Sequence, residues 1–323
     1  FEGRQKLLEV INQLKKQGTA IVIISHDLGE VLSISDRITV LRDGTHVTTI
    51  ENKNISEDML KTLMVGRKIT DNYYRPDMES NSHGEIVFSA RDVCALDLIR
   101  DFHLELHRGE ILGIGGLTES GIHEIGRVLF GAEAHTGGEI RNEISKTEVK
   151  SIHRSIQDGV AYTSKNRDQE GLILTASILD NISIINYDQV SRCKLISKKR
   201  ETEFANKYAS GLQTKMTGVE QHVASLSGGN KQKVVLAKWL ARNSDIFILD
   251  SPTRGIDVKA KSAIYKLMQE ITAQGKSIIM ISEEIMELIG MCDRILILSD
   301  GRISAELFRK DGLTEEKVIK YML

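Results

Sequence analysis

The chain has 323 residues and a mass of 36.1 kDa, more than one typical domain of ~100–200 residues holds, so two domains or one large one are expected, with a full hydrophobic core. Hydrophobic residues make up 41% and charged residues 27%, and 43 Lys+Arg against 45 Asp+Glu leave a formal charge of -2, which argues against a polycationic binder of nucleic acid or anionic lipid. Cys94, Cys193 and Cys292 are scattered without CxxC or Cys/His spacing, so neither a disulfide framework nor a zinc site is indicated and the compartment reads as reducing.

No apolar run approaches the roughly 18 to 20 residues of a bilayer span, and the opening Phe1-Glu2-Gly3-Arg4 is neither an initiator Met nor a signal peptide, so the chain is expected to start within a longer protein. From Arg4 to Lys16, Leu7, Leu8, Ile11 and Leu14 recur at helical spacing, and Gly18 follows where a helix C-terminus favours it. The continuous run Ala20-Ile21-Val22-Ile23-Ile24 reads as a parallel strand covered on both faces, stopping at Ser25-His26-Asp27. A helix through Glu30 and Leu32, a strand Ile38 to Leu41, an Asp43-Gly44 turn and a short strand to Ile50 complete what looks like the end of an α/β unit.

The same block recurs near the C-terminus without gaps. Gln274-Gly275 matches Gln17-Gly18, Asp293-Arg294-Ile295 matches Asp36-Arg37-Ile38, Ser282 stands 257 residues after Ser25, and Asp300 the same distance after Asp43. An offset this long is no solenoid period of ~20–50 residues; it implies two copies of a whole domain, the first represented by its tail. Between the copies, Gly66 to Gly84 has no apolar periodicity and is read as a linker. The expected organisation is therefore a remnant over 1–65, a linker over 66–84 and a second domain over 85–323.

Strand Ile111 to Ile114 runs into Gly115-Gly116-Leu117-Thr118-Glu119-Ser120-Gly121-Ile122-His123 and then an apolar helix face, the strand, glycine loop and helix layout of a P-loop. In GxxxxGK[ST] the lysine neutralises phosphate and the following hydroxyl holds Mg²⁺. Gly116 and Gly121 keep the spacing, but Ile122 and His123 take those two positions, and Glu119 adds a negative charge. Two readings stand: a tight turn retained for packing, or residual nucleotide contact.

Farther on, Leu226-Ser227-Gly228-Gly229-Asn230-Lys231-Gln232 leads into a helix Lys233 to Leu240. Ser227 is placed to cap that helix, the glycines let backbone approach a phosphate, and the N-terminal N–H groups favour an anion. Asp245 to Asp250 is an apolar strand ending in a carboxylate that could orient Mg²⁺. The next residue, Ser251, cannot act as a general base without an activating partner and suits a turn or cap. Lys231 and the cluster Lys198-Lys199-Arg200 read as solvated helix surface, and Trp239 as core.

These motifs resemble ATP-binding cassette (ABC) proteins, whose signature is LSGGQ or LSGGN-x-Q. Pro252-Thr253-Arg254-Gly255-Ile256-Asp257-Val258-Lys259-Ala260-Lys261 narrows the resemblance to the second half of the tandem ATP-binding subunits of simple-sugar importers of the ribose, galactose and xylose type. Gly109-Glu110-Ile111-Leu112-Gly113, Glu170-Gly171-Leu172 and Gly290 to Ile295 match as well, so the similarity runs from Arg4 to about Tyr321. The sequence departs from the family at Ile122, His123 and Ser251, and at Lys165 and Asn166, where Ser164-Lys165-Asn166-Arg167 stands in place of a PEDR segment and keeps its arginine; Glu283 stands where a switch histidine would, which resembles what second halves of this family usually show. The first copy keeps His26 at that place.

The resemblance implies an α/β, ABC-type P-loop NTPase domain, a mixed sheet core with a helical signature subdomain, preceded by the α/β remnant of a first copy. It implies ATP and Mg²⁺ as cofactors. Ser227, Gly228, Gly229, Asn230, Gln232 and Asp257 would contribute to a site whose P-loop lies in an intact nucleotide-binding partner with His26 as switch, while Gly116, Gly121 and Asp250 belong to a degenerate site that should not hydrolyse. Further expected partners are permease subunits, meeting the segment from Tyr162 to Ile184, and an external sugar-binding protein, with the chain at the inner face of the membrane. No nucleic acid partner is expected. The alternative reading is a non-catalytic pseudo-ATPase, a scaffold or nucleotide sensor.

Overall fold

The computed structural model describes residues 2–24, 28–42, 45–53, 55–56, 59–60, 63, 74–75, 82, 84–192 and 195–322. They divide into two compact units, residues 1–73 with 257–259, and residues 74–256 with 260–323. The Ser25-His26-Asp27 segment, the Asp43-Gly44 turn, Cys193 and most of the expected linker lie outside the described residues.

In the first unit, helix Glu2–Lys16 ends at Gly18, whose φ of 81° is the left-handed geometry glycine adopts without Cβ strain. Helix Leu28–Ile34 packs over the antiparallel hairpin of β1 (Arg37–Arg42) and β2 (Thr45–Glu51). Leu28, Ile38, Val40 and Leu60 form its buried core, flanked by Val31, Leu32, Val47 and Ile50. One expectation fails here: Ala20 to Ile24 is not a strand, and Val22 and Ile24 are 90% and 97% exposed. A strand needs at least one neighbour to take its backbone N–H and C=O groups, and none pairs with this run among the described residues.

Among the described residues the second unit holds two larger sheets and a two-stranded pair. The first antiparallel set is β3 (Ile86–Ala95), β4 (Ile99–His107), β6 (Gly137–Asn142) and β7 (Thr147–Glu148), in the order β4-β3-β6-β7. The core sheet is formed by β5 (Ile111–Gly116), β8 (Val160–Thr163), β11 (Ile246–Asp250), β12 (Ser277–Ser282), β13 (Arg294–Ser299) and β14 (Arg302–Phe308). Its order is β14-β13-β5-β12-β11-β8, parallel except for the antiparallel edge strand β14. The small pair β9 (Ser191–Arg192) and β10 (Leu195–Ile196) lies among helices Ile178–Ser183, Tyr187–Val190 and Lys198–Gly211. β5, β11 and β12 are buried at every residue, which is why each reads as a continuous apolar run rather than an alternation.

The repeat holds element by element. Helix Ile285–Met291, β13 and β14 fall 257 residues after helix Leu28–Ile34, β1 and β2, with the same lengths. Both hairpins carry a register shift at the same place, Val40/Leu41 in one and Ile297/Leu298 in the other. The counterpart of Ala20 to Ile24 is β12, and it lies between β5 and β11. The contrast isolates the cause: the two runs share an apolar pattern and differ in whether strands flank them.

The β13–β14 turn has φ of 47° at Asp300 and 75° at Gly301, the two positive values a tight Asp-Gly hairpin requires. Gly301 accepts from the Arg100 N–H at 2.9 Å and donates its own N–H to the Ser120 carbonyl at 3.1 Å. A Cβ at Gly301 would run into the Leu98 carbonyl. Within the segment expected to be a linker, Arg75 is 4% exposed and its guanidinium is 2.7 Å from the Asp293 carboxylate, so this part is docked on the second unit.

Candidate functional site

β5 delivers the glycine loop. Gly113 and Gly115 face helix Ile285–Met291 so closely that a Cβ would stand 2.8 Å from Cys292 Sγ or 2.5 Å from Leu288 Cδ1. The loop then folds on itself: Thr118–Ser120 is a 3₁₀ turn in which the Ser120 N–H and hydroxyl both donate to the Leu117 carbonyl, at 2.9 and 2.7 Å. Gly121, φ 94°, starts helix Ile122–Phe130. Ile122 is completely buried, its methyl reaching beneath Gly116. The lysine position of a P-loop is thus built into the hydrophobic core.

His123, one residue on, is buried and bridges two carboxylates. Its Nδ1 lies 2.7 Å from Asp250 Oδ1 at the end of β11, and its Nε2 lies 2.9 Å from Glu283 Oε1 just past β12. Glu283 also accepts from Lys165 Nζ at 2.7 Å and from the Thr118 hydroxyl at 3.0 Å. Ser251, at φ 48°, donates its hydroxyl to Asp250 at 3.0 Å and its N–H to the Ile281 carbonyl at 2.8 Å, while its carbonyl accepts from the Arg254 N–H. The turn role expected of Ser251 is what its backbone adopts.

Burial disfavours charge on His123, but the hydrogen bond and charge of Asp250 and the bond to Glu283 outweigh it, and its pKa lies above the ordinary 6.5. Burial likewise opposes charge on Glu283, yet the bonds from Lys165, His123 and Thr118 hold its pKa down to about 2. The signs set a window. The raised imidazole contributes stability that is complete below pH 6.5 and is lost as pH rises through its folded value; the depressed carboxylate contributes above pH 4.5 and loses it as pH falls. His123→Gln is therefore expected to cost most between pH 4.5 and 6.5, by about 1–3 kcal/mol as for a hydrogen bond to a charged group, and less as pH rises through the raised folded value. Urea midpoints at pH 5.5 and 8.5 measure it; a penalty that grows with pH would contradict this assignment.

The second constellation surrounds helix Gly228–Ala241. Ser227 occupies the N-cap position, φ -65° and ψ 157°, but its side chain makes no capping bond to the helix, contrary to the expectation from sequence. The Ser227 hydroxyl instead accepts from Asn230 Nδ2 at 2.9 Å, and Asn230 Oδ1 accepts from the Lys215 N–H at 2.9 Å. The side chain that could have capped the first turn is held aside, leaving that turn uncapped and Ser227 exposed. Gly229 and Gln232 are buried beneath it. Lys231, expected on a solvated face, is only 13% exposed along its side chain and pairs with Asp168 at 2.8 Å. Lys198, Lys199 and Arg200 are exposed and Trp239 is buried, as expected.

Arg167 joins this turn to the loop after β11. Its guanidinium donates to the carbonyls of Arg254 at 2.6 Å and Gly255 at 3.5 Å, and stands 2.9 Å from where a Gly228 Cβ would be. Lys165, Asn166, Arg167, Asp168, Gln169, Arg254 and Gly255 line an open cavity of about 260 Å³ beside it. Behind that loop, Glu287 is 1% exposed and accepts from the hydroxyls of Thr253, Ser282 and Tyr265 and from Lys261 Nζ. Sequence reasoning missed Glu287, although the repeat signals it: Glu30, Ser25 and Arg4 stand 257 residues before Glu287, Ser282 and Lys261. It also passed over Lys165 as a site residue.

The structure therefore brings Gly116, Gly121, His123, Asp250, Ser251 and Glu283 to one place and Ser227, Gly228, Gly229 and Asn230 to another. Asp257 precedes helix Val258–Ala273, and His26 lies outside the described residues. The residues around Asp250 do not fit a Mg²⁺-nucleotide. The hydroxyl position is an imidazole already bonded to the carboxylate, and the lysine position is a buried aliphatic chain.

A sequence profile described as "ABC transporter" matches residues 99–254. The ribose import ATP-binding protein RbsA of Bacillus subtilis is 41% identical over 317 residues, covering 97% of this chain and 63% of that protein. The xylose import ATP-binding protein XylG of Thermoanaerobacter pseudethanolicus is 39% identical over 323 residues, covering 98% of this chain and 63% of its own length. The chain thus spans less than two thirds of the relatives it matches. Among solved structures, a nucleotide-free ATP-binding cassette from an ABC transporter superposes with a TM-score of 0.63 at 18% identity over 74% of this chain and 99% of its own. A dimeric cassette in a post-hydrolysis state bound to ADP and phosphate superposes with a TM-score of 0.60 at 19% identity, over 69% of this chain and 98% of its own.

Proposed function

We propose, on the premise that this chain carries an ABC-type ATPase domain, that it serves as the signature-donating half of the ATP-binding subunit of a simple-sugar importer. The observation that carries this reading is the uncapped first turn of helix Gly228–Ala241, held open by the Asn230–Ser227 bond and fixed from behind by Arg167. Unpaired N–H groups and the positive end of a helix are suited to the phosphates of a nucleotide, and two glycines allow close approach. The nucleotide would be held mainly by the P-loop of a separate cassette half, since no GxxxxGK[ST] sequence occurs in this chain. Mg²⁺ bound there would draw off charge developing on the transferred phosphoryl group. Ser227, Gly228 and Gly229 would close over it, Asp257 and His26 would contribute from the loop and switch positions the resemblance assigns, and Asn230 and Gln232 would hold the turn.

The further partners of this reading are permease subunits and an external sugar-binding protein, with the chain at the inner face of the membrane. Among the described residues no helix is long and apolar enough to cross a membrane. Ile173 and Ile184, 47% and 44% exposed in the segment from Tyr162 to Ile184, offer apolar area to a permease. The test is to pair the chain with an intact nucleotide-binding half and measure phosphate release. Hydrolysis that appears only on pairing and is lost with Ser227→Arg supports the reading; pairing without hydrolysis, or hydrolysis indifferent to Ser227, overturns it and leaves the pseudo-ATPase alternative.

A further inference from the structure

We infer that His123 makes the chain's own glycine loop selective against Mg²⁺-nucleotide, its imidazole and the Lys165 ammonium taking the places in which a divalent cation and a phosphate-binding lysine would act. The inference concerns the loop at Gly116 to His123 and does not depend on what Ser227 to Gly229 do.

Three observations carry it. Asp250, 2% exposed, is the one carboxylate at the end of β11 and already has two partners, His123 Nδ1 at 2.7 Å and the Ser251 hydroxyl at 3.0 Å. A metal taking that oxygen would have to break the first bond and leave a buried imidazole without its carboxylate partner. Second, the opposite wall is closed as well. Glu283 holds His123, Lys165 and Thr118 together at 2.7–3.0 Å, so the ammonium nearest the loop is committed to a carboxylate and not to an incoming phosphate. Third, the loop is collapsed rather than hollow. Ser120 spends its N–H and hydroxyl on the Leu117 carbonyl, and the Ile122 methyl fills the space below Gly116. A phosphate nest needs the opposite arrangement, N–H groups converging on an empty centre.

The assignment also explains a pairing the sequence leaves obscure. His123, Lys165, Ser251 and Glu283 come from four separate segments of the chain and meet in one bonded cluster with Asp250. They act together as a filled site.

The experiment is equilibrium titration of the full chain with Mg²⁺ and a fluorescent ATP analogue, alongside thermal shift with unlabelled Mg²⁺-ATP. The wild-type chain is expected to bind weakly, with Kd above about 1 mM. Ile122→Lys combined with His123→Ser restores the lysine and hydroxyl and is expected to bind at least about tenfold tighter, with a matching rise in melting temperature. His123→Ser alone is the milder companion should the double variant unfold, and any gain it shows over wild type points the same way. Ser227→Arg, carried in each background, keeps binding at the signature turn apart from binding at the loop. Tight wild-type binding that survives Ser227→Arg would overturn the inference, as would folded His123→Ser and double variants that bind no better than wild type. Neither result bears on whether pairing with an intact half yields hydrolysis.

Discussion

Replacing Glu287 by alanine is expected to destabilise the second unit by about 3–5 kcal/mol, the range for removing one partner of a buried charged cluster. The carboxylate is the common acceptor for four donors from three elements: Thr253 in the loop after β11, Ser282 at the end of β12, and Lys261 and Tyr265 on helix Val258–Ala273. Thr253, Tyr265 and Ser282 are themselves 0%, 1% and 3% exposed, so alanine strands three hydroxyls where water cannot reach them. Lys261 keeps a second partner, Glu284 at 2.6 Å, which limits its share of the loss. At roughly 2–4 °C per kcal/mol for a unit of this size, the melting temperature should fall by about 10 °C. Glu287→Gln, which retains one carbonyl acceptor, should cost about half as much. A loss below about 1 kcal/mol for alanine would show that the donors find other acceptors.

The other large effect concerns turnover and leaves stability alone. With the chain paired to an intact half, Ser227→Arg is expected to lower phosphate release by about 100-fold or more, comparable to losing a preorganised anion-stabilising donor. Ser227 is exposed, so a larger side chain costs little folding energy, within about 0.5 kcal/mol. It nevertheless stands at the mouth of the uncapped turn, and the Arg167 guanidinium, 2.9 Å from where a Gly228 Cβ would be, occupies the space behind that turn. Ser227→Ala removes the hydroxyl and frees Asn230 but adds no bulk, and should cost about tenfold. Unchanged release by Ser227→Arg at unchanged stability would remove the signature turn from the reaction.

Much of the fold was legible because its parallel strands are buried on both faces and so appear as uninterrupted apolar runs, as at Ile246 to Leu249 and Ile278 to Ile281. The repeat was legible for a related reason: Asp293 and Asp300 sit at a strand entry and a tight turn, where backbone geometry restricts the residue. Ala20 to Ile24 shows the limit of that reasoning. The apolar pattern specifies what a strand would bury but not whether neighbouring strands are there to receive it. The Ser227 cap failed differently, since a serine at a helix start satisfies the local rule unless a competing donor takes its oxygen, and Asn230 does so from within the same helix. The filled loop was hidden because Thr118 and His123 lie far along the chain from Lys165, Asp250 and Glu283, and only the sheet order brings their elements together. Sequence identified what had been lost at Ile122 and Ser251. It could not show what had taken the vacated space.

The Asp300-Gly301 turn ties together segments that would otherwise breathe separately. Because one glycine both receives the Arg100 amide and gives its own amide to Ser120, the start of β4, the glycine loop and the last hairpin share a single hinge pin. In deuterium oxide the protons on Arg100 and Gly301 should therefore exchange at a common rate set by one concerted opening, slower than those of the free flank of β14.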